Sequence, residues 1–357
     1  PQQTPSMAVF QTAGVPISPT VAALFGNNTQ DPSTEVARVL QMVVTTLIFL
    51  VGIPLNGLVV WVLGVRSLRR GGKRSSGSFG MYVVNLALAD LLLVLRTPLA
   101  LGYLAANYHW PFGLPTCRLV MVLRVLGLYS NAFLLCAISV ERCLCLLHPL
   151  WYRLQRPPWV VPLVCGILWM VSILLSLPYF FTSIIIPYNN HSQCMENTPQ
   201  NPSKGLFITE TLLGFLLPLF IFVTCNLAVL LTAWKTGGTM SPTPTSPRYT
   251  KLYRVLFFTM LVFLTCWVPY FTFRFLKTLY GDDTHHPFYI SLRKGVFVSL
   301  YLVYIKSALN PVLYVFVGKG LGHTIKASLL SAIDRVFNDE TSDYSRRKSL
   351  RERNSLV

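Results

Sequence analysis

The sequence predicts an all-α membrane protein, a bundle of seven transmembrane helices with a short amphipathic helix after the last one. Hydrophobic residues make up 53% of the chain and charged residues 12%, whereas soluble proteins carry about 25% charged residues. A helix needs roughly 20 apolar residues to cross ~30 Å of hydrocarbon. Seven stretches meet this requirement and are called spans one to seven: residues 39–63, 81–106, 117–147, 159–181, 211–234, 255–273 and 296–317.

The few charges inside these spans are the second observation. Spans one, four, five and six contain no charged residue. A charged side chain within a membrane costs several kcal/mol or is paired, so it usually faces the bundle interior and serves a function. The charges that the other spans tolerate include Asp90, Arg96, Arg124, Glu141, Arg142 and Lys306.

The placement of basic residues predicts the topology. The formal net charge is +17, and the clusters lie between spans one and two, three and four, and five and six, and in the C-terminal tail. These segments share one side of the membrane if the spans alternate, and such a bias marks the cytoplasmic side. We therefore expect a multi-pass membrane protein with its N-terminus outside and its C-terminus inside. Membrane lipid headgroups, not nucleic acid, are the expected secondary partner of these charges.

This topology divides the chain into four segments. We expect an extracellular N-terminal tail over residues 1–38, a seven-transmembrane domain over 39–317, a membrane-surface helix over 318–337 and a cytoplasmic regulatory tail over 338–357. Apolar residues spaced by four predict the surface helix: Leu321, Ile325, Leu329 and Ile333. Glycosylation sequons begin at Asn27 and Asn190, and both lie in segments predicted to be outside.

Two of the eight cysteines are placed to form a disulfide. Cys117 begins span three at its outer end, and Cys194 lies in the loop between spans four and five, on the oxidising side of the membrane. A bridge between them would tether this loop over the bundle, and closing a loop of this length contributes roughly 4 to 5 kcal/mol in the chain-entropy model. The alternative is a pair of free extracellular thiols.

Every span carries a landmark, and together the landmarks resemble rhodopsin-like (class A) G-protein-coupled receptors over about residues 39–337. In chain order they are Asn56, Asn85 with Asp90, Glu141-Arg142-Cys143, Trp169, Pro218, Cys266-Trp267-Val268-Pro269, and Asn310-Pro311 followed by Tyr314. Pro218, Pro269 and Pro311 each remove a backbone hydrogen bond and give the bundle places to pivot. The resemblance implies a receptor that is not an enzyme, needs no cofactor and couples to a heterotrimeric G protein. No transporter-like repeat or catalytic motif is found.

The resemblance also implies roles for the switch residues. Glu141 is expected to hold Arg142 at rest, and Trp267 is expected to form the floor of the ligand cavity. Two positions depart from the family pattern: Asn226 replaces a tyrosine that supports the active arginine, and Lys306 lies one turn before Asn310, facing Asp90. Most members bind sodium at that acid. We expect Lys306 to form an internal ion pair with Asp90 instead. Lys306 is too deep in span seven for an opsin retinal lysine.

The outer halves of the spans predict the ligand chemistry. Amine receptors of the family carry an aspartate where this chain has Arg124, and arginine suits a carboxylate or phosphate. Residues expected around the ligand are Arg96, Arg124, Glu210, Tyr270, Arg274 and Arg293, with apolar walls from Phe112, Tyr129, Tyr270, Phe271 and Phe273. Two roles remain open for Glu210: it accepts hydrogen bonds from a ligand, or it neutralises an arginine.

The rest of the amino-acid sequence resembles the chemoattractant branch of the family, in particular leukotriene B4 receptors and the type 2 prostaglandin D2 receptor. This implies an acidic lipid mediator as the ligand and a G protein of the inhibitory class. The alternative is a chemoattractant peptide receptor that recognises a peptide carboxylate. A membrane transporter is a more remote alternative.

The tail contains hydroxyl residues among basic ones, including Ser345, Ser349 and Ser355. These are either part of a plain disordered tail or sites for receptor kinases, whose phosphates recruit arrestin; the family resemblance favours the second. The final Ser355-Leu356-Val357 also fits the carboxylate-binding groove of a PDZ protein.

Truncation after Phe337 is predicted to preserve G-protein signalling and to abolish agonist-driven arrestin recruitment, because the phosphorylated tail supplies the arrestin contacts. Paired G-protein and arrestin sensors in one cell line measure both. Unchanged arrestin recruitment would place the sites in the loop around Thr243 and Ser246.

Overall fold

The structure is a computed structural model. It describes residues 32–65, 78–148, 150, 152, 157–188, 191–196, 202–235, 261–276 and 289–317. The sequons at Asn27 and Asn190, the helix expected over 318–337 and the tail serines Ser345, Ser349 and Ser355 lie outside these residues.

Each predicted span is helical in the part that is described. The helices are Pro32–Val59 with a π-helical extension Val60–Val65 (span one), Ser78–Leu95 and Thr97–Ala105 (two), Gly113–Leu147 (three), Val160–Ser176 and Pro178–Thr182 (four), Pro202–Thr211, the π-helical Leu212–Leu216 and Leu217–Lys235 (five), and Tyr289–Val317 (seven). Span six is the shorter apolar helix Leu261–Leu276. Within the described residues, six helices are long and apolar enough to cross a membrane. Helix one begins at Pro32, ahead of the boundary predicted at Val39.

Proline chemistry explains where span two is interrupted. The helix stops at Leu95 and restarts at Thr97, with Arg96 between the two parts. Pro98 has no N–H to give to the carbonyl of Val94, four residues earlier. The hydroxyl of Thr97 donates to that carbonyl instead. The bend therefore leaves the carbonyl of Val94 satisfied.

Span three is the most buried of the six long helices. Its residues Val125, Tyr129 and Phe133 form one core cluster with Tyr179 of span four. Span four is the opposite case, because many of its large apolar side chains are exposed, among them Leu163, Ile167, Met170 and Leu174. An exposed apolar surface of this kind is typical of a helix that faces membrane lipid.

Polar contacts link the landmark residues between helices. The indole N–H of Trp169 donates to the side-chain carbonyl of Asn85, at 3.0 Å. The amide of Asn56 donates to the carbonyls of Gly52, at 3.0 Å, and Ser307, at 3.1 Å. Because no water competes for these groups inside a membrane, such bonds hold helices in register.

A β-hairpin between spans four and five qualifies the all-α prediction. Strand β1 (Ser183–Tyr188) pairs antiparallel with β2 (His191–Glu196), with Ile185 opposite Cys194. The run Ile184-Ile185-Ile186 has high β propensity, a signal that is present in the sequence. The Cys117–Cys194 disulfide is present, with Cα atoms 5.6 Å apart.

The hairpin also contacts the loop after span two. The backbone N–H of Trp110 donates to the carbonyl of Ser192 at 2.7 Å, and the N–H of Ser192 donates to Nδ1 of His109 at 3.0 Å. Trp110, Cys117 and Val120 form a buried cluster at this end. The hairpin is thus fixed from two sides, by the disulfide and by this loop.

Gly127 is predicted to be required for the contact between spans two and three. A Cβ atom there would lie 2.6 Å from Cγ of Leu93 and 3.3 Å from the carbonyl oxygen of Ala89. Gly127→Ala should therefore cost about 1 to 3 kcal/mol of stability through overpacking. Gly166→Ala is the matched control, because nothing lies within 4 Å of its Cβ. Melting of the detergent-solubilised protein checks this, and equal melting temperatures for the two variants would contradict it.

Candidate functional site: a charged cluster within the helix bundle

Four of the predicted ligand-site residues meet in one buried cluster. Arg124 comes from span three, Glu210 from span five, and Tyr270 and Arg274 from span six. Tyr179 of span four joins them. Glu210 and Tyr270 are each 1% exposed, so their polar atoms depend on protein partners.

Glu210 is the anion at the centre of this cluster. Its Oε1 accepts from Nη1 of Arg274 at 2.8 Å and from the hydroxyl of Tyr270 at 3.3 Å. Its Oε2 accepts from the hydroxyl of Tyr179 at 2.9 Å. Glu210 thus forms an ion pair with Arg274, which corresponds to the second of the two roles that the sequence left open.

Tyr270 connects the two arginines. Its hydroxyl oxygen accepts from Nη1 of Arg124 at 3.2 Å and from Nη1 of Arg274, while its proton is directed to Glu210. A phenol has one proton and two lone pairs, so this arrangement uses its full capacity. Arg274 also lies over the ring of Phe207, with Cζ 5.4 Å from the centroid.

The π-helical turn Leu212–Leu216 directly follows Thr211, the neighbour of Glu210. A π turn contains an extra residue and changes the rotation of the helix before it relative to the helix after it. The π-helical turn therefore contributes to the direction of the Glu210 side chain. The evenly apolar sequence of span five gives no sign of this turn.

Arg96 belongs to a different part of the site. Its guanidinium Cζ lies 4.3 Å from the centroid of the Tyr304 ring of span seven, a cation–π distance. Arg293 lies in the helix of span seven, and its side chain is outside the described part of the structure.

The aromatic residues divide between the site and ordinary packing. Trp267 is 1% exposed and stacks between Phe263, at 5.4 Å, and Phe271, at 5.7 Å. Phe271 also stacks on Phe215 at 4.8 Å. Two of the residues expected to line the cavity pack elsewhere: Phe112 on Trp110 and Phe273 beside Gly295. Tyr129 stacks on Phe133 and belongs to the core cluster of Tyr179.

The polar centre of the bundle corrects the expected ion pair. The ammonium of Lys306 donates to the carbonyl oxygen of Asn131, and the amide of Asn131 donates to Oδ1 of Asp90. Asn310 donates to Oδ2 of Asp90 at 2.6 Å. Asn131 therefore lies between the two charges, and the direct contact predicted for Lys306 and Asp90 is wrong. The amide dipole of Asn131 suits both charges, because its oxygen faces the ammonium of Lys306 and its N–H faces the carboxylate of Asp90.

These contacts do not fit a bound sodium ion. Each oxygen of Asp90 accepts one amide hydrogen and keeps a lone pair, but the oxygen of Asn131 accepts from the Lys306 ammonium, which would repel a sodium ion bound beside it. The Lys306 ammonium, 5% exposed, supplies the positive charge at this point.

The opposite end of span three carries the Glu141-Arg142 pair. Glu141 is 7% exposed and accepts a hydrogen bond from the hydroxyl of Tyr152. Asn226 of span five is also buried, and its amide donates to the carbonyl of Phe222 at 2.8 Å. Pro269 and Pro311 lie within the helices of spans six and seven. The side chain of Tyr314 is not among those described.

The comparisons agree with this architecture. Residues 55–314 match the model of the 7 transmembrane receptor (rhodopsin family). The chain belongs to the rhodopsin family of seven-transmembrane receptors. It is therefore a multi-pass plasma-membrane receptor of a class that is not enzymatic and that acts through G proteins.

The relatives place the chain in the chemoattractant branch. It is 29% identical to a C3a anaphylatoxin chemotactic receptor of Danio rerio over 321 residues, 90% of this chain and 83% of the relative. It is 32% identical to a C5a anaphylatoxin chemotactic receptor 1 of Oncorhynchus mykiss over 308 residues, 86% of this chain and 85% of the relative. These names support the chemoattractant prediction and give no support to a leukotriene, prostaglandin or other eicosanoid ligand.

Lys306 is predicted to make the receptor insensitive to sodium. The melting temperature of the purified protein should be the same in sodium and in potassium at equal ionic strength, because the tethered ammonium supplies the cation. Lys306→Asn should give extra stability in sodium, since an ion that binds only the folded state stabilises it. The double variant Lys306→Asn with Asp90→Asn is the control and should lose that gain. A sodium effect in the unmodified protein would show that the ammonium does not replace the ion.

Proposed function

We propose that this protein is a receptor for a chemoattractant polypeptide whose carboxylate end enters the charged site, and that it signals through an inhibitory G protein. One observation carries the proposal. Three arginines, Arg96, Arg124 and Arg274, lie in the inner part of the bundle with Glu210 as the one carboxylate bonded to this set among the described residues. The positive excess calls for an anion from the ligand.

The carboxylate chemistry follows from the arginine geometry. A guanidinium presents several N–H donors in one plane and can hold both oxygens of a carboxylate. The strength of such a bond increases where water is excluded, as around the buried Glu210 cluster. An uncharged or cationic ligand group would leave uncompensated the positive charge that the three arginines carry in excess of Glu210.

The relatives support a peptide over a lipid as the source of that carboxylate. Their names refer to C3a and C5a, which are peptide ligands. The positive-inside topology would place the β-hairpin and the Arg274 end of span six outside the cell, where such a ligand arrives. The acidic-lipid hypothesis predicts the same arginine contacts and is distinguished by experiment.

The signalling proposal rests on how the charged site is joined to the helix core. Tyr270 is in the same helix as Trp267, one turn away, and Trp267 stacks between Phe263 and Phe271. A ligand that changes the contacts of Tyr270 therefore acts on the helix that carries this stack. We propose that the resulting movement opens the Glu141-Arg142 end to the G protein.

The ligand proposal predicts that cells expressing the chain dissociate an inhibitory G protein, and lower cyclic AMP, on addition of C3a or C5a. A panel of carboxylate lipids is tested beside them. A response to lipids alone would replace the peptide proposal with the acidic-lipid one, and a response to neither would reject both.

The charge proposal predicts that Arg124→Ala weakens binding of the active ligand by about 1.5 to 3 kcal/mol, the value of a hydrogen bond to a charged group. Converting the ligand carboxylate to an amide should weaken binding of the unmodified receptor by a similar amount. Radioligand competition measures both, with surface expression as the control. Equal affinity of acid and amide would contradict recognition of a carboxylate.

A further inference from the structure

The arginines of the site differ in whether a carboxylate already compensates them. Arg274 is bonded to Glu210 at 2.8 Å. Around Arg96, by contrast, no carboxylate of the described chain lies within ion-pair distance, and its buried Nε has no hydrogen-bond acceptor there. Arg96 is half-buried, and a cation that is partly withdrawn from water without an anion is unfavourable. Arg96 is the arginine that an incoming anion would stabilise most.

A second unused donor lies beside Arg96. The ring of Tyr304 is 4.3 Å from the Arg96 guanidinium. Tyr304 is 6% exposed, and its hydroxyl has no partner among the described residues. A buried hydroxyl without a partner is uncommon and costly in a native protein. Arg96 and Tyr304 therefore offer two donors, from spans two and seven, to one acceptor group.

The interruption of span two fixes the position of Arg96. Its carbonyl accepts from the backbone N–H groups of Leu99, at 3.1 Å, and Ala100, at 3.2 Å. The helix thus restarts directly after it. These bonds restrict the backbone of Arg96, so its side chain is held toward span seven at a defined level of the bundle.

Arg124 completes the arrangement from span three. It lies near enough to Arg96 for the two guanidinium groups to repel each other. Its Nη1 is held by the hydroxyl of Tyr270. An anion shared by Arg96 and Arg124 would convert this repulsion into two attractions.

We propose that the ligand carboxylate binds Arg96, Arg124 and the hydroxyl of Tyr304, while the Glu210–Arg274 pair stays intact as a positioning element. This inference rests on the proposed function and assigns its anion to one side of the site. Glu210 and Arg274 act through Tyr270, which they orient to hold Arg124.

The alternative, a ligand carboxylate on Arg274, is disfavoured by the charges already present. Glu210 is 1% exposed, and a second carboxylate on Arg274 would make two anions share one guanidinium in a low-dielectric setting. Removing half of the compensation from a buried charge is strongly unfavourable. A ligand carboxylate on Arg96 would not compete with a carboxylate of the protein.

The binding test compares acid and amide forms of a ligand across four variants. The probes are C-terminal peptides of C3a and C5a, each as the free acid and as the amide, in competition binding to the full-length receptor. The variants are Arg96→Gln, Arg124→Gln, Arg274→Gln and, as the matched control, Arg118→Gln. Arg118 also lies over an aromatic ring, with Cζ 5.4 Å from the centroid of Phe180, but it is bonded to no residue of the charged cluster.

The unmodified receptor should prefer the acid by about 10- to 100-fold, as expected for a lost charge-assisted bond. Arg96→Gln and Arg124→Gln should reduce this ratio to near one. Arg274→Gln should weaken both forms and keep the ratio, and Arg118→Gln should change neither. Loss of the ratio in Arg274→Gln with retention in Arg96→Gln would overturn the assignment. No acid preference in a receptor that binds the peptide would instead refute the proposed carboxylate recognition itself.

A ligand-free measurement tests the same assignment independently. Arg96→Gln should leave the melting temperature of the purified receptor unchanged or raise it, because it removes an uncompensated cation. Arg274→Gln should lower it, because Glu210 loses its counter-ion, and the double variant with Glu210→Gln should recover part of the loss. If Arg96→Gln lowers the melting temperature as much as Arg274→Gln, Arg96 is structural and the proposal fails.

Discussion

The compensation of Glu210 determines the arrangement of four helices around it. A carboxylate that is 1% exposed is stable only if donors surround it, and here they come from Tyr179, Tyr270 and Arg274. These donors bring spans four and six to span five, and Tyr270 extends the network to Arg124 in span three. Each of these hydrogen bonds would contribute little to stability in water, but losing one here is costly, because no solvent can replace the lost partner.

The second polar centre follows the same constraint with a different solution. Asp90 and Lys306 carry opposite charges, yet Asn131 separates them and bonds to both. An amide can bridge an anion and a cation because it has a donor at one end and an acceptor at the other. Three helices are joined in this way through one side chain, with Asn310 supplying the second donor to Asp90.

The sequence predicted the seven spans and the charges that matter, because length, apolarity and buried charge are local properties. It also predicted the disulfide pair, and it identified Arg124, Tyr270, Arg274 and Glu210 as a group. It could not predict which arginine Glu210 neutralises, since that depends on the rotation produced by the π-helical turn. The bridging role of Asn131 and the separation of Arg96 from Arg274 depend on distances between helices, which no pattern within one helix contains. The hairpin was missed although its isoleucines indicated a strand.

The anchored hairpin has a consequence for the kinetics of ligand capture. Its second strand is bound to span three by the Cys117–Cys194 bridge and to the loop after span two through Ser192. A rim that is ordered before the ligand arrives loses little conformational entropy on binding. Such preorganisation is expressed mainly in slow dissociation, because association rates vary less among related complexes than lifetimes do. Loosening the hairpin would therefore shorten the residence time of a bound ligand more than it would slow its arrival.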